Sequence, residues 1–495
     1  MTVFRQQQQQ QLPKPYRYSL LCCVLSLSVL LPGCMVGPDY QIPDSQESIR
    51  ISSIVYPDVR FEQTDLSHWW DIFDDPQLSS LIRRGEQKNL DIKMTLARVR
   101  ESRAILGIEN SALYPAVDAN GAIAWGKESE SITPGATSEA TKYSLSADAG
   151  WEIDFFGRIR RSIEAATADY QASWEDHNNV LITIRAEIAT NYLSLRSQQA
   201  QLETSKKNII SQRDMLKLTE IRYENGIATY LDVAQATRVL ASTEADLPII
   251  RIALMENLTA LSVLTGESSD TLREELQELQ PVPLPAASIA IGIPAERIRQ
   301  RPDVKLAERR LAAQTARIGV ATADLYPSFS LLGTLGLASF STGNFFNSGS
   351  QIYGLGPTLR WNIFDMGRIR QNIVVQDART EQALYEYELT MLKAIKEVED
   401  SMSGYHEQQQ RLFALKRSVS ASQETLSMST RLYKDGLTPF QDVLDAQRAL
   451  LNAESSQDIA TGNSAIQLVN LYKALAGGWT TQAEEDNELS QQSAL

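Results

Sequence analysis

The sequence predicts an α+β fold in which each chain is an internal two-fold repeat. Each chain supplies four strands to a trimeric 12-strand transmembrane β-barrel, which is continued by a long α-helical barrel. Three observations predict this. First, the chain matches itself at an offset of about 210 residues, too long for a solenoid and suggestive of a duplicated half. Leu113-Tyr114-Pro115 recurs as Leu325-Tyr326-Pro327, and Trp151 with Gly157-Arg158-Ile159-Arg160 recurs as Trp361 with Gly367-Arg368-Ile369-Arg370. Tyr223, Gly226 and Leu231-Asp232-Val233 recur as Tyr433, Gly436 and Gln441-Asp442-Val443. Second, each half holds a very long span without proline. Third, two segments of alternating apolar and polar residues precede each of those spans.

The first element is a leader, residues 1–33. Arg5, Lys14 and Arg17 precede an apolar run from Tyr18 to Leu31, whose length of about 14 residues suits a signal-peptide core better than a spanning helix. The run stops at Leu31-Pro32-Gly33-Cys34, which resembles a bacterial lipobox, although Pro32 stands where a small residue is usual. Cys34 is therefore the expected lipidation site, and this covalent N-terminal lipid is the only cofactor expected. Cys22 and Cys23 fall inside the leader, so the mature chain can form no internal disulfide. Removing the leader deletes three positive charges and takes the formal net charge from −14 to −17.

Residues 34–88 form an N-terminal segment. The first repeat, 89–265, contains helix, two strands, a long helix, a tip and a returning helix. Its strands read from Val117, Ala119, Ile123 and Trp125 against Asp118 and Asn120, and from Tyr143 to Ile153 alternating with Ser144 to Asp154. A polar loop, 127–141, joins them. From Arg158 to Glu224 there is neither Gly nor Pro, so the span can be one helix of about 67 residues and about 100 Å. Apolar residues recur every seven positions from Trp174 through Ile188, Leu195 and Ile209 to Tyr223, the mark of supercoiled packing. The positions three residues later are often polar or small (His177, Ser205), which predicts a narrow seam with much of each helix facing water. Residues 89–113 and 228–264 form a split column beside the long helix, bent at Pro248. A connector, 266–301, carries Pro281, Pro283, Pro285 and Pro294.

The second repeat, 302–476, copies this order. Strands are expected around Phe329 to Leu337 and Tyr353 to Ile363, joined by the loop 341–350, with a long helix from Arg368 to Lys434 interrupted only by Gly404. Its seam runs from Leu384 through Met391, Val398, Tyr405 and Leu412 to Tyr433, with Ala394, Ser401 and Gln408 beside it. Residues 477–495 are a tail. No segment after the leader approaches 18 consecutive apolar residues, so no further transmembrane helix is expected.

The strands have the length needed to cross a bilayer, and aromatics gather at their ends. Four strands cannot close a barrel, and an open edge in lipid leaves backbone groups unpaired at several kcal/mol each. Two copies would give eight strands with a filled interior; three give twelve and leave a lumen. The helices alone would equally suit an extended coiled coil, and the strands alone a soluble sandwich edge. With 61 acidic against 47 basic residues a nucleic-acid partner is disfavoured. His68, His177 and His406 are far apart, and no catalytic or metal motif appears, so no enzyme is expected.

Taken together, these residues resemble the TolC-like outer-membrane efflux proteins of the lipoprotein OprM/NodT subgroup. The resemblance is carried by Cys34 to Tyr40, by Trp69-Trp70 through Pro76 with Leu78 and Leu81, by Arg301-Pro302-Asp303, and by the two tip motifs. It implies a homotrimer in the outer membrane, in contact with outer-membrane lipid, with a periplasmic helical barrel and a mixed equatorial domain. It also implies a periplasmic adaptor and an inner-membrane pump of the RND type as partners. The function so implied is a passive exit duct for drugs or other small toxic solutes. The alternatives are the exit duct of a type I protein-secretion system and, from another class, a secreted coiled-coil scaffold without channel activity.

Candidate site residues lie at the tips. Gly226 and Gly436 suit helix C-caps needing positive φ, while Thr229-x-x-Asp232 and Thr438-Pro439-x-Gln441 suit N-caps of the returning helices. Asp232 reads equally as a capping carboxylate or a gate residue. Asp442 and Asp445 form a like-charge pair that costs helix stability, and three copies would place six carboxylates at the narrow end. The other reading is that Asp445 pairs with Arg448. The family resemblance implies an aspartate ring that makes the closed duct cation-selective and a gate tyrosine at Tyr433. Thr438 stands where some members carry a gate arginine, so the closing contacts differ.

Overall fold

The computed structural model of the chain describes residues 35–43, 59–60, 66–127, 139–284, 289–290 and 295–476. The leader, Cys34 and its expected lipid, most of the 127–141 loop, Pro285, Pro294 and the 477–495 tail lie outside the described residues. The chain divides into two compact units, each drawing on both repeats. One comprises Met1–Tyr40, Ile105–Thr167 and Ala312–Thr380; the other comprises Gln41–Ala104, Ala168–Leu311 and Glu381–Leu495.

The first unit is built on a four-stranded antiparallel sheet: β1 (Ala116–Gly126), β2 (Ala140–Ile153), β3 (Ser328–Ser339) and β4 (Gln351–Arg360), in that spatial order. Directly opposed residues share a face. One face therefore gathers Val117, Ala149, Ile123, Tyr143, Leu145, Leu337, Leu335, Tyr353, Leu331 and Pro357. The other gathers Asp118, Asp148, Thr334, Asn120, Ser146, Ser330 and Thr358, with Leu332 and Ile352 as its large apolar exceptions. The repeated sequence motifs serve the base of the sheet. Trp151 donates its indole N–H to the Leu113 carbonyl at 2.9 Å, and Trp361 does the same to Leu325 at 3.0 Å. Asp154 accepts from the backbone N–H groups of Ile159 and Arg160, and Asp365 from those of Gly367 and Ile369, so each carboxylate opens a long helix. The chain's first described residues are clamped here as well. The buried Arg161 donates to the carbonyls of Val36 and Gly37 and pairs with Asp39 at 2.7 Å.

Helices dominate the second unit. They comprise α1 (Pro76–Lys88), α2 (Leu90–Ser111), α3 (Arg158–Glu224), α4 (Tyr230–Thr265), α5 (Ser269–Leu276), α6 (Ala295–Gln300), α7 (Pro302–Ala323), α8 (Arg368–Lys434) and α9 (Phe440–Ala474), of which α2, α3, α7 and α8 also run through the first unit. A two-residue parallel ladder joins Val59–Arg60 to Ile289–Ala290. Both long helices run unbroken for 67 residues, α8 passing through Gly404. The main core joins Trp69, Trp70, Phe73, Leu78 and Leu81 to Ile188, Tyr192 and Leu195 of α3, Leu261 of α4, Val398 of α8 and Leu468 of α9. Trp69 stacks on Tyr472 at 5.7 Å, and Asp75 caps α1 while accepting the Tyr192 hydroxyl at 2.6 Å. Arg301 binds the carbonyl of Ala474 at 2.6 Å and pairs with Asp303 and Glu397, tying the connector to the end of α9.

One expectation fails. The helix seam is wider than its apolar residues alone: His177, Ser205, Ala394 and Ser401 are buried too. Small side chains let helices close in, and His177 is accommodated by the Thr95 hydroxyl at 2.9 Å. Although no run of 18 consecutive apolar residues follows the leader, one helix has the overall composition of a membrane span. α4 contains an 18-residue window of mean hydropathy 1.5, and a helix of that kind is long and apolar enough to cross a membrane. Its apolar residues are dispersed around Pro248 rather than run together, and Ile249, Ile252 and Val263 are exposed.

Candidate functional site

The tips are two helical hairpins, α3 to α4 and α8 to α9, packed through Met215, Ala236, Val239, Tyr433, Phe440, Val443 and Leu444. The two long helices end alike. Gly226 and Gly436 both stand at φ 74°, a left-handed conformation that costs any residue with a Cβ. The N–H of Ile227 bonds the Arg222 carbonyl and that of Gly226 the Tyr223 carbonyl; Leu437 and Gly436 repeat this with Leu432 and Tyr433. Each end is thus a Schellman motif satisfying carbonyls the helix leaves free.

The returning helices begin differently. Thr229 caps α4, and Asp232 accepts from both the backbone N–H and the hydroxyl of Thr229 at 2.8 Å, completing a capping box. The expected cap on α9 is not formed by Thr438 and Gln441. Pro439 occupies the cap position and offers no side-chain acceptor, so the Thr438 hydroxyl, one residue further out, donates to the Asp442 carboxylate instead. Gln441 donates to Asp445 at 3.0 Å, and Arg448 approaches Asp445 at 3.4 Å. Asp442 and Asp445 are exposed on one side of α9, opposite the buried Val443, Leu444 and Ala446. Each carboxylate already has a donor, which offsets their mutual repulsion.

Tyr433 is buried against Phe440, ring centroids 5.1 Å apart, with the Arg222 guanidinium 4.6 Å from its ring. Burial raises the Tyr433 phenol above its ordinary pKa, and the Thr219 hydroxyl and Arg222 work against that rise. Arg222 also donates to the Lys434 carbonyl at 3.1 Å, so it binds one tip to the other. No motif in the sequence marks Arg222; it is a break in the repeat, since Leu432 occupies the matching position.

A second polar constellation lies on the polar face of the sheet. Asp148 accepts from Asn120 at 2.8 Å, Ser146 at 2.9 Å and Thr334 at 2.7 Å, gathering three strands around one carboxylate. Directly across the ladder stands Asp118. A polar face opposite a continuous apolar one is the pattern of a strand with water on one side and lipid on the other.

The sequence profile of the family described as outer membrane efflux protein matches residues 81–267 and 293–477. Nodulation protein T of Rhizobium leguminosarum bv. viciae is 30% identical over 464 residues, covering 94% of each chain. The toluene efflux pump outer membrane protein TtgF of Pseudomonas putida is 30% identical over 467 residues, covering 92% of this chain and 96% of that one. Among solved structures, the outer-membrane channel OprN aligns with a TM-score of 0.82 at 34% identity, covering 90% of this chain and 100% of its own. With a profile match in both repeats and relatives similar from end to end, the chain belongs to the outer membrane efflux protein family.

Proposed function

We propose that three copies of the chain form a closed twelve-strand barrel in the outer membrane and a helical barrel in the periplasm. Through this passive duct, small toxic solutes delivered by an inner-membrane pump of the RND type and a periplasmic adaptor leave the cell. The observation that carries the reading is the sheet. It has one exposed apolar face, one polar face and two edge strands that pair with nothing further among the described residues. In lipid such edges are satisfied only by closure, and three copies are the smallest number that leaves a lumen. The exposed Ile249, Ile252 and Val263 on α4 support it, since further copies would cover them. The solute class rests on relatives such as TtgF, whose name assigns it to toluene efflux. A lipid on Cys34 adds an anchor.

At the tips, Asp442 and Asp445 of three copies form a ring of six carboxylates that favours cations in the closed state, and Tyr433 holds the hairpins together. Asp232, engaged in its capping box, supports the turn rather than the ring. The test is conductance of the purified, detergent-solubilised oligomer in planar bilayers. The expected result is a cation-preferring channel blocked by divalent ions, with preference and block weakened when Asp442 and Asp445 are both replaced by Ala. Intact trimers that never conduct would overturn the duct; unchanged selectivity in the double variant would remove the ring.

A further inference from the structure

The ladder of the sheet measures how far its strands climb relative to their ends. From the start of β1, Ala116 lies opposite Gly150, which lies opposite Leu332, which lies opposite Gly356, four residues short of the end of β4 at Arg360. From the start of β4, Gln351 lies opposite Leu337, Leu145 and Gly121 in turn, five residues short of the end of β1 at Gly126. Three strand-to-strand steps thus climb four to five residues. A fourth step, across to β1 of a second copy, brings the climb to about six residues per chain and about 18 around a threefold axis. Only even climbs are allowed, because an odd one would set the apolar face of one copy beside the polar face of the next.

A climb of six sets Arg360 directly opposite Asp118 of the next copy, with Thr358 opposite Asn120 and Gly356 opposite Ala122. On the apolar face it sets Leu355 opposite Ile123 and Tyr353 opposite Trp125. Charge supports the same register. Asp118 is exposed and faces a like charge, Asp148, within its own sheet, an arrangement that is destabilising unless a cation is supplied. Arg360 is exposed at the far edge, opposite Ser328, and no side-chain partner for its guanidinium is found among the described residues. We propose that the free edges β4 and β1 join successive copies in this one register, locked on the polar face by an ion pair between Arg360 and Asp118 of the next copy. The proposal rests on the closed-trimer reading and adds its register and its contact residues.

Directly opposed residues on antiparallel strands lie within disulfide reach, whereas residues displaced by two do not. Thr358→Cys is therefore combined in turn with Asp118→Cys, Asn120→Cys and Ala122→Cys, and outer membranes are oxidised before non-reducing electrophoresis of heated samples. The expected result is covalent dimer and trimer with Asn120→Cys, and background with the other two. Cross-linking that peaks with Asp118→Cys or Ala122→Cys overturns the register while leaving the barrel standing. Failure of all three pairs in a protein that still purifies as a trimer also overturns the register. Failure of all three in a monomer brings down the closed-trimer reading itself. As an independent readout, the single reversals Asp118→Arg and Arg360→Asp should each reduce the heat-resistant trimer, and combining them should restore it. A combination as poor as the two single losses together would remove the ion pair.

Discussion

His177 lies on α3 with a ring nitrogen 2.9 Å from the Thr95 hydroxyl and its imidazole edge-on to Trp174, the centroids 5.9 Å apart. Burial lowers its pKa below the ordinary value, with Asp176 opposing the shift and Arg185 adding to it. The folded chain therefore holds this imidazole neutral while the unfolded chain protonates it near pH 6.5. Because the unfolded state binds the extra proton, stability rises with pH through the window between the two values and is lost as pH falls through the lowered one. The melting temperature of the detergent-solubilised protein should thus drop on acidification below about pH 6.5. His177→Gln should flatten that slope, and a slope identical to wild type would remove the imidazole from the account. Neither the burial of His177 nor the partnership of Arg222 with Tyr433 was legible in the sequence. Both depend on contacts between residues 82 and 211 positions apart, respectively, which periodicity along one helix does not report.

At the level of elements, the long helices were legible to the residue. Each runs between two glycines of positive φ, Gly157 and Gly226 for α3 and Gly367 and Gly436 for α8, with no proline between them, and the tip residues stop each one by local chemistry. The N-cap of α9 was not legible, because Thr438 and Gln441 imitate the Thr229 and Asp232 pattern one position out of phase. The difference predicts unequal responses. Thr229→Ala removes a formed capping box and should cost about 1 kcal/mol, whereas Thr438→Ala removes only a bond to an exposed carboxylate and should cost less. Gly226→Ala and Gly436→Ala meet open space, so their cost is the left-handed backbone alone, about 1–2 kcal/mol each. Hydrogen exchange of the amides around each turn would read these locally. Protection at the α8 tip should fall about fivefold or more with Gly436→Ala and change less with Thr438→Ala. Equal losses from Thr229→Ala and Thr438→Ala would show that the capping box contributes nothing particular to the first tip.

For the whole molecule, the decisive property is that neighbouring residues of one strand lie on faces of opposite polarity. Strand positions and faces were legible because alternation with a period of two survives without tertiary help. The order β1-β2-β3-β4 and the residue-by-residue ladder were not, since alternation fixes the face but leaves slips of two residues equally good. Adjacent positions on β2 test the orientation. Ala147 sits between Ala119 and Leu335 on the apolar face, and Ser146 sits between Asn120 and Gly336 on the polar one, two residues from Asp148. A lysine on the lipid side near the bilayer midplane costs about 2–4 kcal/mol in each copy, whereas one on the water side costs little. Ala147→Lys should therefore deplete heat-resistant oligomer in outer-membrane fractions, while Ser146→Lys, with an aspartate within reach, should assemble close to wild-type yield. If the two variants assemble equally well, lipid does not cover the apolar face. A reversed ranking would turn the sheet inside out and put Asp148 and its three donors against lipid rather than water.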